Sequence, residues 1–474
     1  MLNNTSLHSI PLCVCWCAYL YMPAMLYIYV TNMHLPPIKY CQPYLMTATG
    51  IFCTFYCILA PLVYIVGADW PAPVAIVCGY ILPCLICVSF ILSAGAVVVM
   101  YKITDLIVLH SHFSPAQVKR LSFYRKLLYP KVQVVAVAAC GAMVSAPYSI
   151  AVYSFRGLTT AELLHSSHDT VLWAATCTLA LLAGIGGIVL SAQMAPYIDN
   201  LGLRFTYRRS CYAGSILVAL SAMLSTLEIT TSLVWARNYN VHYIFYTLAA
   251  QYFFFFNLVV PLRQLASFQR LLFGRYVAST RAASSSASQS RKATVPAAQT
   301  DELEQYLHSP HGTASFFEFC QRDFRTEEIR AWQLVEQFKH GNVTEHKVLS
   351  TCLLPQCPLA CPTSIEWGPL YVKRVNSWMH RDTDIVGTDL PRTFFDEFQV
   401  ALLSALCEDV WLRFKEQSME WKDHNRRRKS LEGMDTVLRM VVKQAPPEVV
   451  SPTPAADNDL LESLDDELAS MVHH

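Results

Sequence analysis

The sequence predicts an all-helical protein in two parts: a bundle of seven membrane-spanning helices and, after it, a soluble helical bundle. Three observations carry this. Up to about Leu262 charges are sparse, and apolar runs reach the roughly twenty residues that a helix needs to cross the hydrocarbon core. From Arg263 onward charged residues are frequent and no apolar run is long enough to span. This second part repeats its apolar residues at helical spacing, with no alternation of the kind a half-buried strand requires. The averages, 53% hydrophobic, 15% charged and a mean hydropathy of +0.31, blend these unlike halves.

Taken in order, a short tail at 1–9 precedes spans at 10–31, 45–67, 72–101, 132–153, 170–194, 211–236 and 241–262. Pro23, Pro61, Pro83 and Pro147 fall inside spans, where neighbouring helices can satisfy the freed carbonyls; they predict kinks and not breaks. Lys and Arg on alternate loops set the orientation, because cytoplasmic loops hold the excess. One side carries Lys39, six residues from Lys102 to Lys131, Arg204, Arg208, Arg209 and three from Arg263 to Arg275; the other carries Arg156 and Arg237. Thirteen against two places the N-terminus outside and the C-terminus in the cytosol. The first span then serves as its own insertion signal, since the tail lacks a basic n-region and the run is too long for an h-region. Asn3 and Asn4 match glycosylation acceptors on the outer tail.

Charge and cysteine usage exclude several classes. A net charge of +1 with no basic stripe interleaved with aromatics gives no basis for nucleic-acid binding. Most of the 17 cysteines lie inside apolar spans, where a thiol acts as a small hydrophobe, so they are not read as disulfides. Cys352, Cys357 and Cys361 bracket a Pro-rich loop without metal-site spacing, and His165 and His168 lack a third ligand, so no metal and no cofactor is expected. Glu228 is the ionisable residue lying most clearly within a span. It marks a possible pocket for a small outside ligand, or reaches interfacial water near the outer end of its helix.

Beyond the spans, 263–300 reads as an amphipathic juxtamembrane helix, with Leu265, Phe268, Leu271 and Leu272 on one face, followed by a Ser/Ala-rich linker. The second bundle covers 301–417. Thr326 reads as an N-cap, with Glu327 and Glu328 in the first turn and Ile329, Trp332, Val335 and Phe338 as the buried stripe. Thr393 with Asp396 forms a capping-box pattern before Phe395, Phe398, Leu402 and Leu406. The tail 418–474 reads as disordered, with a basic cluster at 426–429 followed by Ser430, a basophilic phosphosite pattern whose phosphate would weaken attraction to anionic lipid.

The residues of this bundle carry a family resemblance. The stretch GTASFFEFCQRDFRTEEIRAW at 312–332, followed by VEQFK at 335–339, resembles the opening of a regulator of G-protein signalling (RGS) domain. FDEFQ at 395–399 and LCEDVWLRF at 406–414 resemble the late helix pair of that family, and LEQYL at 303–307 its lead-in. The order and separation of these blocks make the case, over about a quarter of the chain. A seven-span, N-outside part joined to such a module resembles the receptor-type RGS proteins of non-animal eukaryotes.

The resemblance implies a domain that binds the switch regions of a GTP-loaded Gα subunit and speeds its GTP hydrolysis by bracing groups that Gα itself supplies. Such a domain needs no nucleophile, so the chain is expected to be a regulator at the plasma membrane and not an enzyme. Glu327 and Glu328 match the first contact loop, Asn376 the asparagine that approaches the Gα glutamine, and Asp409 with Arg413 the late contact pair. Glu328, Ala331 and Val410 depart from the usual residues at their positions. Each candidate also has an ordinary role, the glutamates as first-turn acids and Asp409 with Arg413 as an i,i+4 pair. The alternative is a transporter or scaffold whose RGS-like domain docks partners without accelerating hydrolysis.

Overall fold

The computed structural model describes residues 10–35, 38–109, 113–164, 166–230, 241–266, 297–354, 356–381 and 390–444. Among these residues the fold is helical, with one isolated bridge, Pro71 with Thr159, in place of any strand. Asn3, Asn4, His165, the linker at 267–296 and the end of the tail at 445–474 lie outside them.

The first span consists of α1 (Ile10–Tyr19) and α2 (Met22–Thr31), with a turn between. Here a break replaces the expected kink: Pro23 sits in the first turn of α2, where its missing N–H costs nothing, and the chain interrupts just ahead of it. Helix α3 (Pro43–Val66) absorbs Pro61 within its length. Helix α4 (Ala72–Leu109) widens into a π turn at Val77–Ile81, immediately ahead of Pro83, as expected where the helical ladder is interrupted. Helix α5 (Pro115–Leu127) is closed by a capping box, in which the Ser114 side chain and backbone exchange bonds with Gln117. Helices α6 (Pro130–Ser154), α7 (Ser167–Met194), α8 (Leu203–Thr230) and α9 (Val241–Phe254, continued by a π turn at Phe255–Val259) complete this half.

Six helical stretches among the described residues are long and apolar enough to cross a bilayer: Pro11–Thr31, Pro43–Val63, Ala72–Leu109, Pro130–Ser154, Ser167–Met194 and Tyr243–Ala266. The chain is therefore a multi-pass membrane protein. Their outward faces are apolar, with Val134, Val135, Met143 and Ile150 exposed along α6, while hydroxyls are turned inward. Thr49 bonds Ser89 at 2.9 Å, Tyr148 pairs with Thr176 at 2.9 Å, and Tyr207 donates to the Cys41 carbonyl at 3.1 Å. Such bonds keep polar groups satisfied where lipid offers no partners. The sixth expected span falls on α8 as far as Thr230; its remainder at 231–236 and the side chain of Glu228 lie outside what the structure describes.

The connecting segments sort to two ends. At one, Thr160 N–H bonds the Trp70 carbonyl at 2.8 Å and Ala72 N–H the Leu158 carbonyl at 2.9 Å. At the other lie the turn Ile38–Tyr40, α5 and the segment 195–202. Gly202, at φ +71, starts α8 beside the end of the last apolar helix: a Cβ there would stand 3.6 Å from Gln264 Nε2.

The second bundle begins slightly earlier than expected, with α10 (Ala297–Leu307), α11 (Pro310–Arg322) and α12 (Thr326–Lys339). A short helix, Glu345–Val348, runs into a π turn at Leu349–Leu353; α13 (Pro362–Arg381) and α14 (Asp396–Leu406) follow. A π turn at Cys407–Trp411 then leads into Leu412–Gln417. The stripe Ile329, Trp332, Val335 and Phe338 is buried, as are Phe395, Phe398, Leu402 and Leu406. An aromatic core closes around Trp411 and Phe414, with Tyr306 and Phe316 within 5.2–5.8 Å of their ring centres.

Two caps differ from expectation. Arg325, not Thr326, is the N-cap of α12 and makes no side-chain cap bond; Thr326 is the first helical residue and is fully buried. Phe395 caps α14, again without a side-chain bond, and Thr393 contributes only its carbonyl, which accepts from Asp396 N–H at 3.1 Å. Residues 415–474 form a separate compact unit. Its described portion carries a helix over Met419–Gln444 where unstructured chain was expected, and Ser430 is exposed on it beyond the basic cluster.

Candidate functional site

The tight connection from α11 to α12 is the chemically richest place in the chain. Asp323, Phe324 and Arg325 link the two helices, and Phe324 takes φ +58, a left-handed conformation that a bulky side chain holds only when its surroundings compel it. Those surroundings belong to the membrane half. The Phe324 ring lies 5.1 Å from that of Tyr101 and 6.3 Å from that of Tyr40, and Tyr101 in turn stacks on Tyr197 at 4.6 Å.

Charged residues surround this aromatic wedge. Arg325 donates from Nε to the Tyr40 hydroxyl at 2.7 Å and pairs with both Glu328 and Asp409. Lys39 Nζ stands 3.7 Å from the Asp409 carboxylate. Arg125 on α5 faces Glu327 at 3.5 Å and donates to the carbonyls of Cys357 at 2.8 Å and Pro358 at 2.7 Å, which fixes the Pro-rich cysteine loop to the same rim. Arg413 reaches the fully buried Asp323 carboxylate at 2.9 Å, and Asn200 donates to that carboxylate at 3.1 Å. Arg330 donates to the Val108 carbonyl at 3.3 Å. Lys39, Arg125, Arg325 and Arg413 are thus each set against an acid, among Asp323, Glu327, Glu328 and Asp409, while Arg330 adds a cation bonded to a backbone carbonyl.

Burial shifts several of these groups. Burial pushes the Asp323 carboxyl up to about 6, against the opposing pull of Arg413 and Asn200. Burial also raises Glu327 despite Arg125 beside it, and lowers Lys39 with help from the like charge of Arg325. Arg325 moves the other way: burial works against its charge, but Glu328 and Tyr40 outweigh that and hold its pKa above the ordinary value.

Of the five residues expected to meet Gα, four are gathered here. Glu327 and Asp409 bear on the membrane half directly. Glu328 and Arg413 are buried and occupied, by Arg325 and by Asp323. Asp409 and Arg413 do not form the expected side-chain pair; Arg413 bonds the Asp409 backbone carbonyl from Nε at 3.0 Å and from Nη2 at 2.8 Å. Asn376 is exposed on α13, and no hydrogen bond or ion pair joins it to the other four. Ala331 and Val410, where the sequence departs from the family it resembles, are fully buried core residues.

The chain matches no protein-family model, no curated protein and no solved structure. Its functional reading therefore rests on its own residues. Sequence reading missed Lys39, Tyr40, Arg125, Asn200, Phe324 and Arg325. The available signal was Asp-Phe-Arg in a two-helix connection together with the crowding of cations onto one set of loops.

Proposed function

We propose that the chain is a membrane-anchored regulator of heterotrimeric G-protein signalling, with seven crossings, its N-terminus outside and its helical module in the cytosol. The module binds GTP-loaded Gα and accelerates GTP hydrolysis without a catalytic group of its own. A small ligand reaching the membrane half from outside the cell, at the plasma membrane, controls it.

The observation that carries this reading is the convergence of Glu327, Glu328, Asp409 and Arg413, drawn from two blocks some eighty residues apart in sequence, onto one face beside a helical connection. Seven crossings are supported by parity. The segment before α8 and the end of the last apolar helix lie at the same end, the end where the module sits, so the chain between them goes across and returns. The cytosolic assignment rests on the excess of Lys and Arg at that end. Tethering beside a lipid-anchored Gα raises the effective concentration of the module without new contacts.

Single-turnover GTP hydrolysis by Gα from the same organism, with and without the full chain in lipid nanodiscs, tests the proposal. A rise in rate of at least about tenfold is expected. An unchanged rate with every Gα of that organism, at chain concentrations high enough to saturate binding, would reject acceleration and leave the docking-scaffold reading, which the internal commitment of Glu328 and Arg413 favours.

A further inference from the structure

We infer that the inner rim of the membrane half is a binding surface for the module's contact loop, and that this rim and Gα exclude one another. The inference rests on the Gα reading above and adds its regulation. The rim presents Lys39, Tyr40 and Asn200 beside the aromatic socket of Tyr101, with Arg125 on α5 next to it. The module inserts Phe324 into that socket and places Glu327 and Asp409 against Arg125 and Lys39. These two acids belong to the set that would face Gα, and a carboxylate held in a half-buried ion pair cannot also meet a second protein.

The chemistry of the seam suits a reversible contact. An interface closed mainly by apolar area resists opening, because opening returns that area to water. A seam of matched charges is close to balanced, since the desolvation given up on docking is regained when each ion is rehydrated. Here one aromatic wedge is set among four ion-paired cations and four anions, all on segments that connect helices or on their first or last turns. The left-handed Phe324 fits the same account, since the docked rim is what holds the connection in that shape. If the docked form outweighs the open one by about a hundredfold, the apparent affinity for Gα falls by the same factor. Any event that shifts the inner ends of α4, α5 or the Ile38–Tyr40 turn then changes GTP hydrolysis without touching the module.

The test uses the full chain in nanodiscs, as wild type and as Lys39→Glu/Arg125→Glu. Both changes are in the membrane half and leave every module residue intact. Amide exchange over 316–328 reports docking, and single-turnover hydrolysis by Gα reports masking. The expected result is that the double variant loses protection over 316–328 while exchange in α6 and α7 is unchanged, and accelerates hydrolysis at least about tenfold more than wild type, the equivalent of one lost charged contact. Lost protection with equal acceleration by both chains overturns mutual exclusion and leaves the Gα reading standing. Unchanged protection with unchanged rate overturns the rim as the docking surface. Lost protection with no acceleration by either chain rejects the Gα reading, and the inference falls with it. If α6 and α7 also lose protection, the milder Arg125→Gln replaces the double variant, with the same criteria.

Discussion

The two halves of this molecule differ in what they turn outward. In the membrane half apolar side chains also face outward, as with Met143 at 75% exposure and Ile150 at 69%, around an interior of buried aromatics such as Tyr56 and Phe254 that is stitched by hydroxyl pairs such as Thr49 with Ser89. In the module the interior is aromatic, with Trp411, Phe316, Phe395 and Phe398 fully buried. The difference shows which solvent each half was built for: lipid supplies no hydrogen bonds and rewards no burial of apolar area, whereas water does both. Where the halves meet, neither solution applies. The seam is closed by compensated charge around a single aromatic wedge.

The contrast can be broken most sharply by paired truncations. Trp411→Ala is expected to destabilise the module by about 3–5 kcal/mol, because it leaves a cavity in a fully packed core, while Met143→Ala on the lipid face of α6 stays within about 0.5 kcal/mol. Thermal unfolding in nanodiscs, followed by exchange in each half, measures both. Equal effects would mean that α6 does not face lipid. Arg325→Ala comes next. It strands Glu328 and leaves Asp409 with Lys39 alone, at a cost of up to about 3–5 kcal/mol for an uncompensated buried charge, and loosens exchange over 323–328 before it affects the aromatic core.

The smallest effect is a pH dependence. Asp323, ordinarily near 3.8, is held at about 6 in the folded chain by burial. A raised carboxyl pKa means that the folded form binds the proton more tightly than the unfolded one. Its stabilising contribution is therefore full below about 3.8 and is lost as the pH rises through about 6, amounting to at most about 3 kcal/mol for a fully buried group. Protection over 316–328, corrected for intrinsic exchange rates, should be greater at pH 5 than at pH 7, and Asp323→Asn should flatten the difference. A wild-type profile that rises from pH 5 to 7 would show that the Arg413 pair outweighs burial.

Much of this architecture was legible before the structure. Apolar runs located six apolar helices because lipid imposes length and composition together, although the third runs on to Leu109, past the expected end at Tyr101. The period-three stripe from Ile329 to Phe338 was readable because every member is buried against the same core. Local capping was less legible. Thr326 has the chemistry of an N-cap, but Arg325 takes that place because its side chain is drawn to Tyr40, Glu328 and Asp409, a tertiary demand that overrides the local preference. The seam itself could not be read from spacing. Arg325 and Tyr40 are 285 positions apart, and no periodicity links a turn after the first span to the connection between two helices of the module. The same holds for Arg125 and the Pro-rich loop, whose significance emerges only from the carbonyls of Cys357 and Pro358 that it fixes.

The central claim is that the connection at 323–328 is docked on the rim of the membrane half that carries Lys39, Tyr40 and Arg125, and a zero-length cross-link tests it most directly. Carbodiimide treatment of the chain in membranes activates a carboxylate, and a lysine amine within contact distance displaces the urea to form an amide, so only groups already side by side are joined. Lys339 with Asp396, 2.8 Å apart inside the module, serves as the internal control, and Lys39 with Asp409, 3.7 Å apart across the seam, as the test. The account predicts that mass spectrometry recovers both cross-linked peptides. Recovery of Lys339–Asp396 without Lys39–Asp409 would contradict it.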